Sequence, residues 1–181
     1  KPEPWRFFGH TAVKSGRDVR ISAPFCYDTN HLEGAGLFCL LASCDLTGLL
    51  PASGLCGVRL NLTLRIETPS TPHRILLGIG GPMPEEAHLP EPRTSYWLRN
   101  VDLASAKRFA GEVVLSDEPE GWIAMGRNPN SPPYLAYADV PIQDLLPVAT
   151  GLFLVLMQDD DPHPKRGSVY LGDMRMHLPE S

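Results

Sequence analysis

The sequence predicts an all-β fold, an antiparallel β-sandwich with one short helix, and three observations carry that expectation. Val58–Glu67 alternates branched apolar residues (Val58, Leu60, Leu62, Leu64, Ile66) with polar ones (Arg59, Asn61, Thr63, Arg65, Glu67), the period of a half-buried strand. Of the 181 residues 19 are proline and 16 glycine, which leaves little room for long helices. Short apolar runs bounded by turn residues recur along the rest of the chain, as a sandwich requires.

The elements follow in order. Asp18–Cys26 reads as an early strand with Val19, Ile21, Ala23 and Phe25 inward, and Leu37–Cys44 as an apolar, well-covered strand. Asp45–Pro51 supplies a turn before the alternating Val58–Glu67 segment, where a helix would scatter the apolar set around its whole circumference. Arg74–Ile79 places Ile75, Leu77 and Ile79 inward; Tyr96–Leu103, Phe109–Leu115, Trp122–Gly126, Leu152–Gln158 and Ser168–His177 complete about nine strands. The single helix is expected in Asp139–Gly151. There Asp139 can cap, Pro141 fits the first turn, and Ile142, Leu145, Leu146 and Ala149 share a face. Pro147 limits it to about two turns and Gly151 can stop it. Three long loops, Pro82–Pro92, Arg127–Pro133 and Asp159–Gly167, are where recognition is expected on a sheet scaffold.

Size and charge bound the function. At roughly 100–200 residues per domain, residues 1–181 form a single sandwich domain, and its start on Lys1 rather than methionine fits a piece cut from a longer chain. A net charge of −5 disfavours a binder of the nucleic-acid backbone. The longest apolar run, Leu152–Met157, is far below the roughly 20 residues that cross a bilayer, so no membrane span is expected. Cys26, Cys39, Cys44 and Cys56 match no zinc or redox spacing. Disulfides remain open in three pairings, with free buried thiols preferred. Asn61-Leu62-Thr63 matches a glycosylation sequon but falls within a strand.

The order of elements resembles the jelly-roll, galactose-binding-like domains that include many carbohydrate-binding modules. The resemblance lies in the Asp45-Leu46-Thr47-Gly48 turn before the long strand, the Phe109–Leu115 strand, and the Val140–Thr150 helix before Gly151–Leu156. The closing Gly167–Arg175 strand completes it. It covers most of the chain as a pattern of elements and implies a jelly-roll β-sandwich that binds carbohydrate without catalysis. In such modules a structural calcium often involves an acidic residue of the last strand, which carries over to Asp173 as a metal ligand.

Sugar recognition uses flat rings that stack on pyranose C–H faces and planar amide, carboxylate or guanidinium groups that match vicinal hydroxyls. Tyr96-Trp97-Leu98-Arg99-Asn100 supplies that mixture in one strand; Trp122, Arg127 and Asn128 followed by Tyr134 and Tyr137 supply a second. The ligand-binding candidates are therefore Tyr96, Trp97, Arg99, Trp122, Arg127 and Tyr134. The competing reading of Trp122, beside Ile123 and Met125, is a core ring. The outward row Arg59, Asn61, Thr63 and Arg65 offers a polar floor or a merely solvated face. Asp159-Asp160-Asp161 is dense in charge but lacks EF-hand spacing. No nucleophile motif, metal-binding histidine pair or phosphate loop stands in the sequence, and Glu112 and Asp173 form a carboxylate pair only if the fold joins them. The expectation is a carbohydrate-binding module. The alternative is a protein-interaction or assembly domain that uses its Pro-rich loops, and a hydrolase or lyase is the weaker third.

Overall fold

The computed structural model describes residues 5–8, 12–15, 18–22, 37–67, 73–82, 85, 88, 90, 94–99, 108–124, 140–158 and 167–179. These residues form twelve strands: β1 (Trp5–Phe7), β2 (Ala12–Ser15), β3 (Asp18–Ser22), β4 (Leu37–Asp45), β5 (Arg59–Glu67), β6 (His73–Pro82), β7 (Thr94–Arg99), β8 (Arg108–Val114), β9 (Trp122–Ala124), β10 (Gly151–Gln158), β11 (Ser168–Leu171) and β12 (Arg175–His177). One helical turn, α1 (Ile142–Leu145), precedes β10. Every strand pairing is antiparallel, in two sheets. The β10 sheet runs β1-β4-β10-β6-β7-β9; in the β5 sheet, β8 lies on one edge of β5 while β11 and β12 share the other, followed by β3 and β2. This order, with β3 to β6 passing from one sheet to the other at each step, is consistent with a jelly roll.

The alternation of β5 is realised as expected. Leu60, Leu62, Leu64 and Ile66 are buried and the residues between them face outward. They meet Ile75, Leu77, Ile79, Leu152, Leu154 and Leu156 of the other sheet in one hydrophobic cluster, the arrangement of a sandwich core. The β10 sheet is also covered on its second face, since Leu76, Phe153 and Val155 are buried too. Phe153 fits there because its neighbour across the ladder is Gly78, where an added Cβ would lie 2.1 Å from the ring.

One end of the core is closed by the β4–β5 connection and α1. Asp45 Oδ1 accepts from the backbone N–H and the hydroxyl of Thr47, at 3.0 and 2.7 Å, and fixes the first turn. Those bonds hold the Asp45 carboxyl below its ordinary range. Buried Leu46 and Leu55 are pinned by backbone N–H donations to the Thr150 and Leu146 carbonyls, at 2.7 and 3.0 Å. Gly54 is required where the chain passes Pro147: its φ is 61°, and a Cβ would lie 2.1 Å from the Pro147 carbonyl oxygen.

Several boundaries differ from the sequence reading. The helix is a single turn whose N-cap is Pro141 and not Asp139, which lies outside the described residues. It ends before Pro147, and Gly151 already belongs to β10. Ile142, Leu145, Leu146 and Ala149 are all buried, as their shared face predicts. The expected strand Ser168–His177 is β11 and β12, separated where its register on β5 slips by one residue around Gly172–Met174. β1 and β2 are additional strands. Residues 23–26, 100–103 and 125–126 of the expected strands, and all or most of each long loop, lie outside the described residues. Among the described residues no helix is long and apolar enough to cross a membrane.

Candidate binding face on the β5 sheet

The outer face of the β5 sheet is built by register. Arg108 of β8 stands opposite Arg65 of β5, Arg65 opposite Tyr170 of β11, and Tyr170 opposite Arg20 of β3. The neighbours Ile66, Leu64, Val169, Leu171 and Ile21 are buried and Val19 and Phe109 pack half-buried against the core, so alternation turns the four side chains outward together. A second row lies toward the other end of β5, with Glu112 and Arg175 on either side of Asn61.

Arg65, Tyr170 and Arg20 of the first row are held by side-chain contacts. The Arg65 guanidinium lies over the Tyr170 ring at 3.8 Å from the centroid, and Arg20 approaches the same ring at 5.9 Å. Arg65 is ion-paired with Glu67, and the Tyr170 hydroxyl donates to the other Glu67 oxygen at 3.2 Å. Arg20 Nε donates to the Ser168 hydroxyl at 3.2 Å, and that hydroxyl is 3.2 Å from Ser22 Oγ. With the Arg65 and Glu67 side chains 43% and 51% exposed, a guanidinium, a carboxylate and an aromatic ring are presented to solvent in fixed mutual orientation.

The expected site residues fall elsewhere. The backbones of Tyr96, Trp97 and Arg99 lie on β7, where Trp97 pairs with Ile79 on one side and Ala124 on the other; their side chains, and all of Arg127 and Tyr134, are outside what the structure describes. The hydroxyl of Ser95, next to Tyr96, is buried with no hydrogen-bond partner among the described residues. Trp122 corrects the expectation of an exposed ring. It is 6% exposed, part of the core, and its indole N–H donates to the Ser116 carbonyl at 2.7 Å.

Asp173 is exposed, and its two carboxylate oxygens accept from Arg175 Nε and Arg175 Nη2 at 2.6 and 2.5 Å. That guanidinium holds its pKa below the ordinary value, and the carboxylate raises that of Arg175. Among the described residues no group of three or more His, Cys, Asp or Glu side chains could hold a metal ion. Glu112 on β8 and Asp173 beside β12 flank β5 from opposite sides, so the fold does not join them as a pair. Cys44 and Cys56 carry free thiols, and burial followed by the Asp45 charge pushes the Cys44 thiol up to about 11.

Fold and surface together define an all-β, sandwich-like protein with one polar, arginine-bearing sheet face. The sequence matches no protein-family model and no curated protein.

The sequence reading found half of this face. The row Arg59, Asn61, Thr63 and Arg65 was legible as the outward side of β5. Tyr170, Arg20 and Arg108 are not legible as its cross-strand partners, although Tyr170 standing between apolar Val169 and Leu171 carries the local signal for an outward ring.

Proposed function

We propose that the protein is a non-catalytic ligand-binding module whose ligand is a carbohydrate, engaged on the outer face of the β5 sheet. The observation that carries this reading is the Arg65–Tyr170–Glu67 stack, in which donor and acceptor groups suited to vicinal hydroxyls are ordered before a ligand arrives. Asn61 and Thr63 extend the same strand face with an amide and a hydroxyl. The jelly-roll-consistent strand order supports the likeness to galactose-binding-like modules by analogy of fold. A second surface of the same module is proposed at Tyr96, Trp97 and Arg99 on β7 with Arg127 and Tyr134.

A glycan array probed with and without calcium tests the reading. Retention of a saccharide class, weakened roughly tenfold by Arg65→Ala or Tyr170→Ala as charged hydrogen bonds are lost, is the expected result. Loss through Trp97→Ala at an unchanged melting temperature moves the site to β7, and a retention that requires calcium restores a metal role for Asp173. The competing reading is an assembly domain, favoured by the exposure of Glu85, His88 and Pro90 within the Pro82–Pro92 segment and by Leu49 at 60% exposure. Concentration-dependent oligomers in light scattering, with no saccharide retained, would replace the carbohydrate reading by that one.

A further inference from the structure

We infer that the saccharide recognised on the β5 sheet is anionic, carrying sulfate or carboxylate groups, and that the row Arg108–Arg65–Tyr170–Arg20 is its seat; this rests on the carbohydrate reading. Four facing positions in adjacent strands place three guanidinium groups in one line across the sheet, over about 14 Å at the usual strand spacing. Arg65 and Arg108 are directly opposite each other, an arrangement that costs stability when both residues carry the same charge. The chain as a whole carries a net charge of −5, so a line of three cations runs against its overall composition. Glu67 pairs with Arg65, while among the described residues no carboxylate pairs with Arg108 or Arg20, both exposed. Guanidinium groups with free N–H donors match the oxygens of sulfate and carboxylate, and the ion-pair geometry is bidentate where the group is planar.

A nucleic acid fits this row less well. The Tyr170 ring that would stack a base is covered by the Arg65 guanidinium, whereas an anionic saccharide needs no stacking on that ring.

The test is titration calorimetry on the full chain with four probes: a heparin-derived sulfated oligosaccharide, an oligogalacturonate, a neutral galacto-oligosaccharide of equal length and a single-stranded RNA oligonucleotide. The expected result is binding of the sulfated or the uronate probe, with the better of the two naming the anionic group. That binding should weaken with added salt, and roughly tenfold in Arg108→Gln and in Arg20→Gln. Because Arg108→Gln also removes the like-charge contact, its melting temperature should rise by about 1–4 °C while its affinity falls, a split that a merely structural arginine would not give. Equal binding of the neutral probe, unaffected by either substitution, overturns the anionic inference and leaves the carbohydrate reading standing. Binding of no saccharide, or of the RNA alone, overturns both.

Discussion

The two sheets solve the burial problem differently. In the β5 sheet, β5 itself has one buried apolar side and one outward polar side, so the chemistry of the outer face is free to vary while Leu60, Leu62, Leu64 and Ile66 hold the core. In the β10 sheet, Leu152 to Leu156 are buried without a break, and so are Ile75 to Gly81 on the neighbouring strand. The two central strands of that sheet, β6 and β10, are packed on both sides. The other sheet has one polar side open to solvent, and the proposed site lies there, on β5 and its neighbours.

An aspartate scan breaks this comparison most directly. Leu62→Asp should cost about 3–5 kcal/mol and Thr63→Asp about 1 kcal/mol or less, since only the first buries an unpaired carboxylate. In β10 both Leu154→Asp and Val155→Asp should be as damaging as Leu62→Asp, about 3–5 kcal/mol against a typical total of about 5–15. Urea unfolding followed by circular dichroism measures all four. Tolerance of Val155→Asp would show that the second face of the β10 sheet is open, and equal tolerance at 62 and 63 would remove the strand assignment of β5.

A smaller effect tests the packing on that second face. Phe153 lies over Gly78, so Gly78→Ala should cost about 1–3 kcal/mol through crowding and Phe153→Ala about 3 kcal/mol through a cavity. The double variant should recover part of the Gly78→Ala cost, because the ring the new methyl would strike has gone. Strict additivity in the chemical-denaturation cycle would mean that the two residues do not share the contact.

The same contrast explains what was legible in the sequence. The alternation from Val58 to Glu67 wrote the role of β5 in local pattern, and the burial of Ile75, Leu77 and Ile79 followed from the same period in β6. The run Leu152–Leu156 announced a covered strand but not which partners cover each side. The slip at Gly172–Met174 was hidden because a single bulged residue leaves the apolar pattern of Ser168–His177 nearly intact. β1 and β2, at three and four residues, are too short to show a period. Composition marked Trp122 as a ring for ligand or core, and only the depth of its burial decides for the core. The row of Arg20, Arg65, Arg108 and Tyr170 joins positions scattered along the chain, and no local pattern records that register.

The smallest expected effect compares Cys44, inside the β10 sheet, with Cys56, in the connection leading to β5. Cys44 on β4 is 2% exposed and sits in the core, whereas Cys56 is half-buried at its edge. Alkylation at neutral pH, read by peptide mass spectrometry, should therefore modify Cys56 first and reach Cys44 only through opening of the β10 sheet. Burial raises the Cys44 thiol from 9.0 to about 11, so the folded chain holds its proton where the unfolded chain releases it. Cys44 thus has no effect on stability below about pH 9 and lowers it as the pH rises from there toward 11. Cys44→Ala should lack that part of the alkaline decline. Equal alkylation of the two thiols in the folded protein would mean that β4 is open to solvent, and the contrast between a sheet packed on both faces and a sheet with one open face would fail at the strand beside β10.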